Sequence, residues 1–383
     1  MPGLIIFHHA RSLDNWDVKA VGAGLRPLMM RQVLEKLAAE EGSEFLDISG
    51  SLYERAEKVA TLGERLAQQS KGEPRIRLYS ENVNRQSYFS DFRKNFSKWR
   101  TDFDLLEMVK NHGGVNSMFY RDIFWRFSAP ERKRSLRRRL RDMLVPLQAS
   151  YELRRFTKLY DIFFLPHEKM AKHFPKWAKL PRPTTLPPGG ECRVMSPITV
   201  HHDRPLTLLY VGDVRPPVYR VFDYLNIFND LSSVHMNLIT RKSFIDSSKT
   251  HTDLKSFKNI DLSHESGDEL ISKYEQSDIA LAVFGDTEYL DFAMPIKVFE
   301  AISFGMPIIV TANATEVARL VMESNIGWVV DGPEDCKFLL GQLEKNPEQL
   351  MEKRKNVESI REVHTWQARG QFVLDLMEDI IES

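Results

Sequence analysis

The pattern that most constrains this chain is a short apolar run followed by a helical stretch, repeated along the sequence and interrupted once by a block of prolines and glycines. "GLIIF" reads as a buried strand, and "PLMMRQVLEKLAA", from about Pro27 to Ala39, reads as the helix after it. Strand-then-helix order opens a parallel α/β unit. "EFLDIS", "RIRLYSE", "VNSMFY" and "DIFFLP" are further strand candidates, separated by helical or mixed stretches. "KLPRPTTLPPGGECRVMSP" can continue neither a helix nor a central strand, so it predicts a linker, with a boundary near Pro183 to Ile198. The alternation then restarts with "LTLLYVG", "VHMNLIT" and "NIDLS", the helix "DELISKYEQS", and the strands "DIALAVF" and "MPIIVT". The expected fold class is α/β, two doubly wound Rossmann-like domains facing across a cleft, with ligands beyond the carboxyl ends of the strands. "HTWQARGQFVLDLMEDIIES" reads as a closing amphipathic helix, and no internal repeat is found.

Length and composition agree with two domains, because 383 residues exceed a usual single domain and 42% hydrophobic content supplies ordinary cores. Lys+Arg and Asp+Glu both number 53, so the average field gives no reason to expect a nucleic-acid partner. Cys192 and Cys336 lie far apart without metal-like spacing, which fits a reducing compartment. "MPGLIIFHHA" is too short and lacks the basic lead-in of a signal peptide, and no window approaches the roughly 18 apolar residues that span a bilayer. A soluble, cytoplasmic chain is expected.

Within "DFAMPIKVFEAISFGMPIIV", a helix is predicted from about Pro295 to Phe304, with proline at its first position and Gly305 past its end. Its only charges are Lys297 and Glu300, three residues apart and so neighbours on one face. A lysine in a first turn opposes the helix dipole unless an anion binds there. A diphosphate held by free backbone N–H groups and Lys297, with Glu300 one turn deeper on sugar hydroxyls, resolves the conflict. A solvated surface ion pair is the plainer alternative.

"MPIKVFEAISFGMPIIVT" with "EVARLVMESNIGWVVD" resembles the donor-binding segment of GT-B glycosyltransferases, in the large retaining family that builds bacterial polysaccharides and glycolipids. That family's usual signature is two glutamates eight positions apart; Glu300 matches the second, which holds the nucleotide ribose, and Phe292 stands at the first. Some relatives carry a P-x-K-x-x-E form instead, matched by Pro295, Lys297 and Glu300, with the lysine on the donor diphosphate. "LTLLYVGDV" resembles the first strand and glycine turn of the donor domain, where Gly212 admits phosphate to the backbone. Relatives place arginine after that glycine and lysine beyond it; Asp213 stands here, with Arg215 and Arg220 as replacement cations. "TLPPGGE" resembles the segment ahead of the donor domain, and the terminal helix with Trp366 the one crossing back to the first domain.

In the first domain, "VNSMFYRDIFWRF" presents Arg121 and Asp122 at a strand's carboxyl end, where many relatives carry a histidine facing the donor sugar. Arg121 is a candidate for stabilising the departing phosphate and Asp122 for a sugar hydroxyl or the acceptor; an interior pair fixing the loop is the rival. Gly22, Gly24 and Arg26 precede the first helix and, by analogy with the family's glycine-rich loop, line the cleft near donor phosphate or acceptor, or else form a plain loop. In "ERKRSLRRRLRDMLVPL", Leu136, Leu140, Met143, Leu144 and Leu147 fall on one helical stripe flanked by Arg137, Arg138, Arg139 and Arg141. This suits a helix on an anionic bilayer, or leucines packed on the domain with arginines in water; nucleic-acid binding is disfavoured. Asp102 and Asp104 have a D-x-D spacing, but one or the other is expected to cap the helix "LLEMVKN" rather than the two holding a metal. His8, His9, His201 and His202 lack zinc-like helical spacing and are expected in loops, with an active-site edge the alternative for His8 and His9 just after the first strand.

The resemblance implies an acceptor domain over 1–190, a nucleotide-sugar donor domain over 191–360 and a crossing helix over 361–383. It implies a glycosyltransferase moving sugar from a nucleotide sugar to a saccharide or lipid-linked acceptor with retention, needing no metal or other cofactor. Peripheral attachment to the inner face of the cell membrane is also expected. A sugar-nucleotide 2-epimerase and a non-catalytic membrane-associated assembly factor are the alternatives.

Overall fold

A computed structural model describes residues 3–13, 24–82, 98–127, 136–191, 204–227, 231, 233–247 and 257–383; the side chains of 124, 136–145, 246 and 247 lie outside that description. The described chain divides into two compact units, Met1–Pro187 with Arg369–Ser383, and Pro188–Ala368. Gly22, Cys192, His201 and His202 fall outside the described residues.

The first unit holds six parallel strands: β1 (Leu4–His9), β2 (Glu44–Ser49), β3 (Ile76–Glu81), β4 (Val115–Phe119), β5 (Ile162–Leu165) and β6 (Pro183–Thr185), ordered β2-β1-β3-β4-β5-β6. β1, β3, β4 and β5 are buried along their whole length, as central strands covered on both faces by helices must be. The helices Leu25–Glu41, Leu52–Leu66, Thr101–Asn111 and Leu136–Leu159 belong to this unit, with the end of the Trp366–Ile381 helix. That last helix packs closely: a methyl at Gly370 would lie 2.3 Å from Val33 Cγ1, and Ser117 Oγ lies 3.2 Å from Met377 Sδ.

The second unit holds β7 (Leu206–Val211), β8 (Val234–Ile239), β9 (Ile260–Ser263), β10 (Ile279–Ala282), β11 (Ile308–Thr311) and β12 (Gly327–Val330), all parallel, ordered β12-β11-β10-β7-β8-β9. Alternate residues of β7 feed two separate cores, Leu208 and Tyr210 one and Leu209 the other. The strand order reverses between β7 and β10, and a doubly wound sheet binds its ligand at that place, beyond the carboxyl ends.

Several expectations need correction. The proline-rich block is not purely linker: Pro183–Thr185 is an edge strand paired with β5, where proline's missing N–H leaves no ladder bond unmade. Gly189 and Gly190 are packed rather than loose, since a methyl on Gly190 would lie 2.6 Å from Phe299 O and one on Gly189 2.5 Å from Trp366 N. His8 and His9 are the last two residues of β1 and almost fully buried, not loop residues.

Neither Asp102 nor Asp104 caps a helix, for both lie inside Thr101–Asn111. Asp102 is 1% exposed, takes Arg55 through Nε at 2.8 Å and Nη2 at 2.9 Å, and lies 3.1 Å from His8 Nε2. His8 Nδ1 sits 3.0 Å from Ser80 Oγ, so β1, β3 and two helices are tied by one polar network. Burial works against the Asp102 carboxylate, but His8 and Arg55 hold its pKa below the usual range. Asp102→Ala strands a buried guanidinium, and we expect a loss of about 3–5 kcal/mol in urea unfolding. A loss below about 1 kcal/mol would mean that the network contributes nothing to the fold.

Candidate functional site

The site is built on the Ile296–Ser303 helix, with Pro295 at its N-cap rather than inside it, one residue later than the sequence suggests. Proline there offers no side-chain cap, so of the first-turn N–H groups Val298 donates to Pro295 O at 3.1 Å while those of Ile296 and Lys297 take no capping side chain, and Lys297 stands in the first turn. On the far side the helix is held by the Pro-Gly segment at Gly190, while Arg361 Nη2 donates to Ser303 O at 2.8 Å. A rigid backing therefore fixes where Lys297 and Glu300 point.

The Lys297 ammonium is shielded from solvent and has no hydrogen-bond partner among the described residues. Three rings surround it: Tyr210 at 4.3 Å, Phe284 at 4.8 Å and Tyr219 at 5.1 Å from Nζ. These rings come from β7, from just past β10 and from the loop between β7 and β8, so the cage lies at the reversal of strand order. Aromatic faces attract a cation but offer it no lone pair, so all three ammonium donors remain unused. Burial lowers the Lys297 pKa from its ordinary 10.5 to about 7, against the pull of Asp213 and Glu300.

Gly212 closes the site from β7. Its φ of +146° suits glycine, and a methyl built on it would sit 3.5 Å from Lys297 Nζ, so the backbone turn and the ammonium are direct neighbours. Glu300 Oε2 accepts from the Tyr274 hydroxyl at 3.3 Å. Tyr274 lies stacked on Phe304 at 4.3 Å, and burial followed by Glu300 raises its pKa. Along the same sheet edge the buried oxygens Thr240 Oγ1, Ser263 Oγ, Thr287 Oγ1 and Asn313 Oδ1 also lack hydrogen-bond partners among the described residues. An edge with several unmet polar groups and a caged cation is arranged for a polar, anionic ligand.

Arg215 is exposed, but its guanidinium is occupied by Asp213, with Nε 2.8 Å from Oδ1 and 3.0 Å from Oδ2. That contact, opposed by burial, lowers the Asp213 pKa. Arg220 is paired with Asp223. Arg241, just after β8, is exposed and close enough to act on both Asp213 and Tyr219, a placement that spacing gave no means to find. Tyr210, Tyr219, Phe284 and Tyr274 were missed as well. Only Tyr210, next to the last residue of β7, carried a sequence signal, a tyrosine at a strand end.

In the first unit, Arg26 is 5% exposed and committed: Nε donates to Glu81 Oε1 at 3.0 Å and Nη1 to Leu186 O at 3.2 Å, and its guanidinium lies 3.3 Å from the Phe119 ring centre. Gly24 is the residue before the Leu25–Glu41 helix. Asp122 is buried and Arg121 half-buried beyond β4, where Arg121 is close enough to Glu81 to act on its charge. Burial raises the Glu81 pKa, and Arg26 opposes the rise. The structure thus gathers Arg26, Glu81 and Arg121 at one sheet end. Lys297, Glu300 and Gly212 are gathered at another, in the second unit. Arg137, Arg138, Arg139 and Arg141 lie in the Leu136–Leu159 helix, their side chains outside the described residues. Among the described residues no group of His, Cys, Asp and Glu could hold a metal, and no helix is long and apolar enough to cross a membrane.

A lysine with a pKa near 7 binds an anion only when protonated. The sign follows: from about pH 7 toward 10.5 the empty folded state has shed a proton that the unfolded chain keeps, so unliganded stability rises with pH through this group. Anion affinity moves oppositely. We expect the dissociation constant of inorganic pyrophosphate to rise by up to about tenfold per pH unit above 7, and this slope to vanish in Lys297→Met, as read by calorimetric titration. Identical pH profiles for the two proteins would remove Lys297 from the site.

No family model and no curated protein matches the sequence. Solved structures do. A glycosyltransferase from Rickettsia africae aligns with a TM-score of 0.63 at 9% identity, covering 100% of this chain and 99% of that one. HepE of Anabaena, solved in complex with UDP, aligns with a TM-score of 0.56 at 10% identity, covering 99% of this chain and 100% of its own. TarM aligns at 0.54 and 10% identity over 84% of this chain, which spans only 58% of TarM. With two six-stranded parallel sheets, one in each unit, these similarities show that the chain has the GT-B fold, two Rossmann-like units in one polypeptide.

Proposed function

We propose that this chain is a glycosyltransferase that binds a nucleoside diphosphate sugar at the carboxyl edge of the β12-β11-β10-β7-β8-β9 sheet and moves its sugar to a saccharide or lipid-linked acceptor. The observation that carries the reading is the caged Lys297 ammonium, buried beside the Gly212 turn with no hydrogen-bond partner among the described residues. A diphosphate supplies the missing acceptors and the negative charge. Glu300, one turn deeper in the same helix, takes two ribose hydroxyls. The GT-B fold supports this assignment, as does the presence of UDP in the similar HepE structure.

In the transfer, the bond from the anomeric carbon to the diphosphate breaks, a bond to an acceptor oxygen forms, and the acceptor's proton leaves with the diphosphate. Lys297 neutralises charge where it grows. We infer retention, by displacement on the front face, from the resemblance to the retaining family, and we assign acceptor binding to the first unit with Arg121 and Asp122 at its site. Arg215 enters only as a partner to Asp213, because its charge is already matched.

The test is nucleotide release from UDP-, GDP-, ADP- and dTDP-sugars in the presence of a mixed saccharide and polyprenyl-phosphate acceptor set. Two hydrogen bonds to a carboxylate contribute about 3 kcal/mol, so Glu300→Gln should lower kcat/KM about a hundredfold. Turnover of one donor class with an unaffected Glu300→Gln variant would place the ribose elsewhere. Absence of turnover with every donor would sink the transfer reading.

A further inference from the structure

The Leu136–Leu159 helix has a face that the core does not use. Leu153 and Phe156 are buried against the first unit, whereas Leu147, Tyr151, Arg154 and Lys158, at helical spacing, are all exposed. Leu147 is 67% exposed and Tyr151 41%. Leu147 ends the leucine stripe read from the sequence, and its exposure argues against that stripe packing wholly into the core.

A second segment meets this face. The Arg154 guanidinium lies 4.9 Å from the centre of the Trp177 ring, and Trp177 is 44% exposed. Trp177 sits in "KMAKHFPKWAKLPR", residues 169–182, which carries Lys169, Lys172, Lys176, Lys179 and Arg182 and no acidic residue. Lys172, Lys176, Lys179 and Arg182 are exposed. At its border Glu168 is an exposed acid, while Asp161 is already paired with Lys110.

We propose that this surface, formed by the exposed face of the helix and residues 169–182, docks on an anionic phospholipid bilayer. The components match what such a boundary selects: tryptophan and tyrosine at headgroup depth, an apolar tip beside them, and cations of one sign toward the phosphates. The one-signed charge favours an anionic lipid surface over a neutral apolar partner. The inference stands apart from sugar transfer and uses none of the donor-site residues.

Sedimentation with phosphatidylcholine vesicles, with and without phosphatidylglycerol, tests it on the full chain. The wild type should sediment with the anionic vesicles only and be released by high salt. Neutralising three lysines in Lys172→Gln/Lys176→Gln/Lys179→Gln should lower partitioning about a hundredfold, at roughly fivefold per lysine. Quenching of tryptophan fluorescence by brominated lipid should be strong in the wild type and largely lost in Trp177→Phe. Thermal unfolding of the variants, expected unchanged at these exposed positions, separates lost docking from lost fold. No binding to anionic vesicles, equal binding to neutral ones, partitioning of the triple variant within twofold of wild type, or undiminished quenching in Trp177→Phe would each overturn the proposal.

Discussion

A single caged cation sets the terms for the second unit. Lys297 is kept from water by Tyr210, Tyr219 and Phe284, and none of these rings can accept its hydrogen bonds with a lone pair. Taking an ammonium out of water is costly, and the fold meets that cost with ring quadrupoles and two nearby carboxylates, at the expense of a pKa lowered to about 7. Such an arrangement is poor design for stability alone. It is good design for a ligand that brings negative charge, because the protein is organised around the cation before the ligand arrives.

That organisation runs back through the fold. The reversal of strand order between β7 and β10 leaves space at their carboxyl ends, the Gly212 turn keeps side-chain bulk out of it, and the Ile296–Ser303 helix fills one flank. Close packing of Gly190 on Phe299 and Ser303 fixes the helix from behind. The first unit follows another logic at its sheet end. There Arg26 and Tyr79 both donate to Glu81 Oε1, and on the opposite face Asp102 takes Arg55 and lies beside His8, so these buried charges join strands to helices, although Glu81 Oε2 has no hydrogen-bond partner among the described residues.

Much of this could be read from residue order. Most strands of both sheets follow from short apolar runs, though the edge strand Gly327–Val330 was not read as one, and Lys297 and Glu300 stand out because two charges interrupt an apolar helix. The exceptions have physical causes. Pro183–Thr185 pairs as a strand because an edge tolerates proline, which a rule about proline-rich linkers overlooks. His8, His9 and Asp102 were read as loop and cap residues because sequence spacing does not reveal partners 47 to 94 residues away, such as Arg55 and Ser80. Arg215 was read as a free cation because its pairing with Asp213 depends on how the loop turns. The aromatic cage is assembled from three separated segments, so no window of sequence contains it.

The measurement that bears most directly on the central claim is thermal stabilisation by free UDP, GDP, ADP and dTDP, taken on the wild type and on Lys297→Ala. A ligand at a hundredfold excess over its dissociation constant stabilises by about 2.7 kcal/mol. The account predicts that one nucleoside diphosphate stabilises the wild type by that order and that Lys297→Ala, although folded, loses most of the effect. Equal stabilisation of the two proteins, or none by any nucleotide, would contradict it.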